Sequence, residues 1–225
     1  MKLPILITTL FSTLSLSAFS SAWAENTSHV QQLLRTLECQ RCELSNANLN
    51  TRNLREAFLN AADLRGANLS GSNLFQSELV NADLRKANLE RTDLRNSTLI
   101  DSNLADVKLA GANFRNSRLK YVNLTNADLR GTNFNDAELV YTNLVKVNLS
   151  NAQLRNTSLY SADLSGASLN NTDLFRADLT NANLSGADLA GADLTDAIMT
   201  GANLTGTNLC NATMPDGKTS TVGCK

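Results

Sequence analysis

The residues best able to do chemistry in this 225-residue chain are its four cysteines, and they sit at the two ends: Cys39 and Cys42 in "CQRC", Cys210 and Cys224 around the C-terminal tail. A C-x-x-C pair has the spacing of a thiol redox motif or of half a metal site, and in an oxidising compartment it is equally a local structural bridge. His29 is the only histidine and stands at the start of an amphipathic segment, where it reads as a solvated residue rather than a general base. Carboxylates such as Asp63, Asp83, Asp163 and Asp188 recur at a fixed interval, and that periodicity accounts for them without catalysis. The sequence contains no Gly-rich phosphate loop, no nucleophile beside a base, and no long insertion that could build a pocket. It argues against an enzyme and requires neither cofactor nor metal.

Compartment comes from the N-terminus. Met1 and Lys2 precede an apolar, Ser/Thr-containing run from Leu3 to Phe19, then "SAWA", with Ala22 and Ala24 in the small positions of an A-x-A cleavage site. Residues 1–24 therefore read as a signal peptide. The run is short for a bilayer span, which needs about 20 apolar residues, and no cysteine follows it before Cys39 to carry a lipid. Export without a membrane anchor after cleavage is the expectation. The formal charge of −1 falls by one when Lys2 leaves with the leader. Such a balance is neither a nucleic-acid footprint nor a strong polyanion.

Aromatic residues are 5% of the chain and prolines number two, leaving few bulky anchors for a conventional core. Internal repetition replaces them. From Leu44 to Met214 a large apolar residue occupies every fifth position for 35 steps; 31 are Leu and the others are Phe114, Phe134, Met199 and Met214. Two positions before each centre, 30 of the 35 residues are Ala, Ser or Thr. A period of five fits neither a helix nor a flat strand. Each repeat must be a short extended piece followed by a corner, and Gly66, Gly71, Gly111 and Gly131, two positions after a centre, suit such corners.

"ADLRGANLSGSNL" (62–74) and "ANLSGADLAGADL" (182–194) resemble the A-(D/N)-L-x-x units of the pentapeptide repeat family. The resemblance implies an all-β fold, a right-handed quadrilateral β-helix with four repeats per coil. The centre (position i) and residue i−2 point inward; i−1, i+1 and i+2 point outward. The solenoid would span 42–214 in nearly nine coils, a rod about 42 Å long at the ~4.8 Å strand spacing. Leu64, Leu84, Leu164 and Leu184 fall in its core, with Phe114 and Phe134 stacked on one interior side. Arg52 at an inward position and Phe58 at i−1 predict distortion of the first coils.

Both ends need covering. In 25–41, Ser28 is a candidate N-cap with Gln31 three residues on, and Val30, Leu33, Leu34 and Leu37 have helical spacing. These predict a capping helix and linker. After Met214 the tail 215–225 opens with a Pro215-Asp216-Gly217 turn. In the implied rod the two cysteine pairs are separated by about eight coils, too far for a four-ligand zinc site or a bridge between ends. The resemblance thus implies local disulfides, Cys39 with Cys42 and Cys210 with Cys224.

The implied four-repeat coil also sorts the surface into columns with a step of twenty. One i+1 column reads Val80, Ile100, Lys120, Val140, Tyr160, and its i+2 neighbour contains Tyr121 and Tyr141. Single exposed apolar residues are common, but clustered ones with aromatics mark interaction sites. This face is the candidate site for a protein partner or self-association. Another i+1 column carries Arg55, Arg95, Arg115 and Arg155 with Phe75 and Phe175, beside Asp93, Asp136, Asp173 and Asp193. It reads as a solvated charge ladder. Some members of the family mimic DNA to inhibit type II topoisomerases; those are strongly acidic and cytoplasmic, unlike this chain. Signal-bearing members with a "CxxC" start and "MPDG" tail look like cyanobacterial proteins of the periplasm or thylakoid lumen. The expectation is an exported, non-enzymatic interaction solenoid, with a passive spacer as the alternative.

Overall fold

The computed structural model describes residues 27–224; the leader segment 1–24 lies outside them. The chain winds with a period of twenty residues. Glu43 bridges Asp63, Asn48 bridges Asn68, Asn53 bridges Asn73 and Phe58 bridges Glu78, all in parallel, and the pattern repeats to Thr213. Four repeats thus make one coil, whose sides are named here by the centres Leu44, Leu49, Leu54 and Leu59. No side extends into a continuous strand among the described residues. The chain turns every five residues, so each side contributes a single bridged residue per coil, and the all-β expectation is realised as stacked isolated bridges.

Backbone N–H groups account for the regularity. In a typical repeat the central N–H donates to the next coil, as Leu64 N to Asp83 O at 2.8 Å, and the i+2 N–H does likewise, as Gly66 N to Arg85 O at 2.9 Å. The i−1 N–H donates to the coil before, as Asp63 N to Cys42 O, and the i−2 N–H closes the corner, as Ala67 N to Leu64 O. The i+1 N–H is left over. An Asp or Asn at i−1 accepts it: Arg65 N to Asp63 Oδ1, Ser70 N to Asn68 Oδ1, Thr125 N to Asn123 Oδ1. The recurrent carboxylates and amides are therefore local caps of the Asx-turn type.

All 35 corner residues from Arg41 to Asn211 have φ between 52° and 71°, and only nine of them are glycine. Sequence reading tied the corner to glycine; the ladder imposes it on Lys86, Tyr121 and Tyr141 as well. A left-handed residue other than glycine costs about 1–2 kcal/mol in isolation, and below the last coil inter-coil hydrogen bonds on either side of the corner hold it there.

Inside, Leu64, Leu84, Leu164 and Leu184 are fully buried, and the rings of Phe114 and Phe134 stack with centroids 4.8 Å apart. Small i−2 residues fill the spaces between the leucines, and buried hydroxyls other than that of Ser102 turn back on the backbone, as Ser97 Oγ does to Leu94 O.

At the N-terminus helix α1 (27–36) packs Leu33 and Val30 against the first coil, and Leu37, just after the helix, joins them. Five expectations are corrected here. Ser28 lies inside the helix rather than at its cap, and Leu34 is 41% exposed because the helix turns only its Leu33 stripe inward. His29 is half-buried, and its Nδ1 accepts the Glu43 N–H at 3.1 Å, replacing an acceptor that a preceding coil would have supplied. The ladder itself starts at Glu38, with Cys39 as a buried centre one repeat before Leu44. Arg52 and Phe58 do not distort the first coils. Their bridges stay in register, and Arg52 is exposed because no coil lies beneath it.

At the other end the tail folds back antiparallel over the last coil, with Thr219 opposite Thr213. Leu209 N donates to Val222 O and Asn211 N to Ser220 O, both at 3.0 Å, while Met214 N reaches Lys218 O at 2.8 Å. The tail therefore covers the Leu49 and Leu54 sides of the last coil.

Candidate functional site

The Leu59 side carries the aromatic cluster. Tyr121 and Tyr141 are 50% and 45% exposed, and their rings stack one coil apart with centroids 5.3 Å apart and planes 12° from parallel. Tyr160 meets Tyr141 edge-on at 5.7 Å. Lys120 Nζ lies 4.9 Å from the Tyr121 ring centre and 6.0 Å from that of Tyr141, in cation–π range. Val80, Ile100 and Val140 line the same column, half-buried, with Val80 two coils below Lys120. The structure thus brings Lys120, Tyr121, Tyr141 and Tyr160 into contact and leaves Val80 at the margin.

The same side has unusual backbone chemistry. Its i−1 column reads Thr98, Arg118, Glu138 and Ser158, none of which caps the following N–H. Among the described residues the N–H groups of Ile100, Lys120, Val140 and Tyr160 have no protein acceptor, whereas every i+1 N–H from Arg55 to Thr195 on the Leu54 side is accepted by an Asn or Asp side chain. Four consecutive coils therefore present a row of outward donors beside the tyrosines.

On the other sides several arginines are paired with nearby carboxylates. Arg65, Arg85, Arg95 and Arg130 each fold back on the Asp two residues earlier, with Arg95 to Asp93 at 2.7 Å. These guanidinium hydrogen bonds hold the carboxyls of Asp63, Asp83, Asp93 and Asp128 below the ordinary aspartate range, against the opposing effect of partial burial. On the Leu54 side Arg115 pairs with Asp136 and Arg155 with Asp173. Arg55 and Arg95 flank the Phe75 ring, as Arg155 and Arg176 flank Phe175. That column is a self-paired charge ladder. Among the described residues no group of His, Cys, Asp and Glu is placed to hold a metal ion.

The cysteines lie at the ends. Cys39 and Cys42 are joined and buried within the first coil; Cys210 and Cys224 are joined across the tail, and no described cysteine is free.

Eight copies of the family pattern described as pentapeptide repeats match residues 42–79, 77–116, 99–136, 137–174 and 177–214. The chain belongs to the pentapeptide repeat family. Proteins of this family fold as right-handed quadrilateral β-helices, in keeping with the twenty-residue coil. HetL, a pentapeptide repeat protein involved in heterocyst differentiation regulation from the cyanobacterium Nostoc sp. strain PCC 7120, is 32% identical over 88% of this chain and 98% of its own, with a TM-score of 0.49. QnrB1, a plasmid-mediated fluoroquinolone resistance protein, matches 71% of this chain and 85% of its own at 19% identity and a TM-score of 0.52, a likeness of fold. A pentapeptide repeat protein from the Arabidopsis thaliana thylakoid lumen is 30% identical over 48% of this chain and 68% of its own, with a TM-score of 0.31. No match is found among curated proteins. No described helix is long and apolar enough to cross a membrane.

Within the pentapeptide repeat unit the i−1 position normally holds Asp or Asn; Lys108, Gln153 and Ser168 depart from it singly, and the Leu59 side departs from it on the four consecutive coils of Thr98, Arg118, Glu138 and Ser158. Sequence reading found the tyrosines there and missed the uncapped amides. The signal was present: Thr98, Arg118, Glu138 and Ser158 recur twenty residues apart, all lacking the Asx side chain that caps a corner.

Proposed function

We propose that this chain is an exported, non-enzymatic pentapeptide repeat rod that binds a protein partner along its Leu59 side. The observation that carries the reading is the coincidence, on four consecutive coils, of the Tyr121–Tyr141–Tyr160 cluster with the uncapped N–H groups of Ile100, Lys120, Val140 and Tyr160. The tyrosines and half-buried aliphatic side chains offer apolar area with polar tips, the composition typical of interface centres. The amides and the Lys120 ammonium offer only donors. A complementary partner therefore combines apolar contact with oxygen acceptors, as a carboxylate-bearing or extended polypeptide segment does. The leader sequence and the pairing of all four cysteines suit an oxidising exported compartment, the periplasm or thylakoid lumen. The recurrent i−1 aspartates, Asp63, Asp83, Asp163 and Asp188 among them, are engaged as corner caps, which supports a structural rather than an enzymatic role.

Photo-crosslinking from position 141 in the native compartment tests this. A discrete adduct, stronger than from the half-buried control position 185 on another side, identifies the interface and its partner, a second copy of the chain being one possible product. Equal, background labelling at both positions sinks the interface and leaves a passive spacer.

A further inference from the structure

The two disulfides differ in what shields them and in what depends on them. Cys39 and Cys42 are buried, at 0% and 3% exposure, beneath helix α1. Cys224 is exposed and Cys210 half-buried. Around Cys224 the segment 216–224 makes only five backbone hydrogen bonds to the last coil, through Leu209, Asn211, Ala212 and, twice, Met214. It contributes almost no apolar burial: its one large apolar side chain, Val222, is 58% exposed. Five such bonds, each of small net worth in water, do not offset the entropy of ordering nine residues. The Cys210–Cys224 bond therefore holds the strand in place. Gly223, at φ 85°, lets it close: a Cβ there would lie 3.1 Å from the Asn208 Cα.

Beneath the tail lie Leu209 and Ala212, at 5% and 0% exposure. Beside it, the N–H groups of Met199, Gly201, Leu204 and Gly206 face the open end with no described acceptor. The tail thus separates a half-open end from a fully open one.

We propose that Cys210–Cys224 is a reducible clasp, a thiol–disulfide exchange site for a dithiol reductant, whose opening releases the tail and exposes the last coil as an unpaired strand edge. One thiolate of the dithiol attacks the accessible Cys224 sulfur. Cys210 leaves as a thiolate and takes a proton, and a mixed disulfide links the reductant to Cys224. The second thiolate of the reductant then attacks its own sulfur in that mixed disulfide, freeing Cys224, which is protonated in turn. The dithiol is oxidised to a disulfide, and two electrons and two protons pass to the cysteines. Cys39–Cys42, enclosed by the first coil and α1, is expected to survive the same exposure.

The test titrates the folded, oxidised protein with dithiothreitol. Alkylation at each cysteine is read by mass, and amide exchange is followed at Leu209, Asn211 and Met214, with Leu164 and Leu169 as mid-rod references. The expected result is alkylation of Cys210 and Cys224 while Cys39 and Cys42 stay joined, and loss of protection at Leu209, Asn211 and Met214 to the level of Met199 and Leu204. Cys224→Ser should show that loss without reductant, with the mid-rod amides unchanged. Simultaneous opening of both bridges, earlier opening of Cys39–Cys42, or a Cys224→Ser tail that stays protected would overturn the proposal.

Discussion

Phe134 lies on Phe114 inside the rod as Tyr141 lies on Tyr121 outside it: both pairs are one coil apart, with planes 12° from parallel. The coil spacing sets both stacks, and burial separates their roles. Phe114 and Phe134 are fully buried, so Phe134→Ala leaves a cavity and should cost about 3–5 kcal/mol. Tyr141 is 45% exposed, and Tyr141→Ser should lower stability by less than about 1 kcal/mol while weakening partner capture by the Leu59 side. Urea unfolding of both variants, beside partner capture, separates core from interface.

The buried hydroxyls give a prediction of opposite sign within one residue type. Ser97 Oγ bonds Leu94 O at 2.6 Å, whereas Ser102 Oγ is buried with no partner. Ala82 fills the equivalent inward position one coil below Ser102. Ser102→Ala should therefore raise stability by about 1 kcal/mol and Ser97→Ala lower it by a similar amount. Matching signs in the two melting curves would contradict this account.

The register, the four-sided coil and the inward leucines were legible in the sequence because one apolar residue every fifth position admits few other folds. The corners were read less well. Glycine suits nine of them, but nothing in the sequence showed that Lys86 and Tyr141 take the same left-handed backbone, where inter-coil hydrogen bonds outweigh local preference. At the N-terminus, Leu34 and His29 show the limit of reading periodicity alone. Which stripe α1 buries, and which edge N–H needs an acceptor, depend on where the first coil lies. The tyrosine cluster needed only the step of twenty, whereas the bare amides beside it required knowing what the i−1 side chain does.

Acid should weaken the rod through its corner ion pairs. Asp63, Asp83, Asp93 and Asp128 have lowered folded values because Arg65, Arg85, Arg95 and Arg130 donate to them. A group depressed on folding contributes fully above its unfolded value, about 3.9 for Asp, and loses that contribution as pH falls through the lower folded value. The melting temperature should therefore hold through neutral and mildly acid pH and decline below about pH 4. Replacing the four by Asn preserves an acceptor for each corner N–H while removing the charge. That variant should show a shallower acid decline, and an unchanged slope would place the acid sensitivity elsewhere.

The row of donors on the Leu59 side can be closed without touching a tyrosine. Arg118 and Glu138 stand where Asp or Asn caps the corner on other sides, and their own ion pair is long, at 3.9 Å, and exposed. Breaking it should cost little. Arg118→Asn and Glu138→Asn would each supply a side-chain oxygen two residues before Lys120 and Val140, as Asn123 does for Thr125 at 3.1 Å. Each new cap should hold or raise stability, by up to about 1 kcal/mol. If the partner uses those amides, each occupied donor should weaken association about fivefold, although Tyr121, Tyr141 and Tyr160 remain in place. Titration of the double variant against the captured partner decides it. Unchanged affinity with raised stability would mean that the rings alone make the interface and that the bare amides are only a gap in the family's capping pattern.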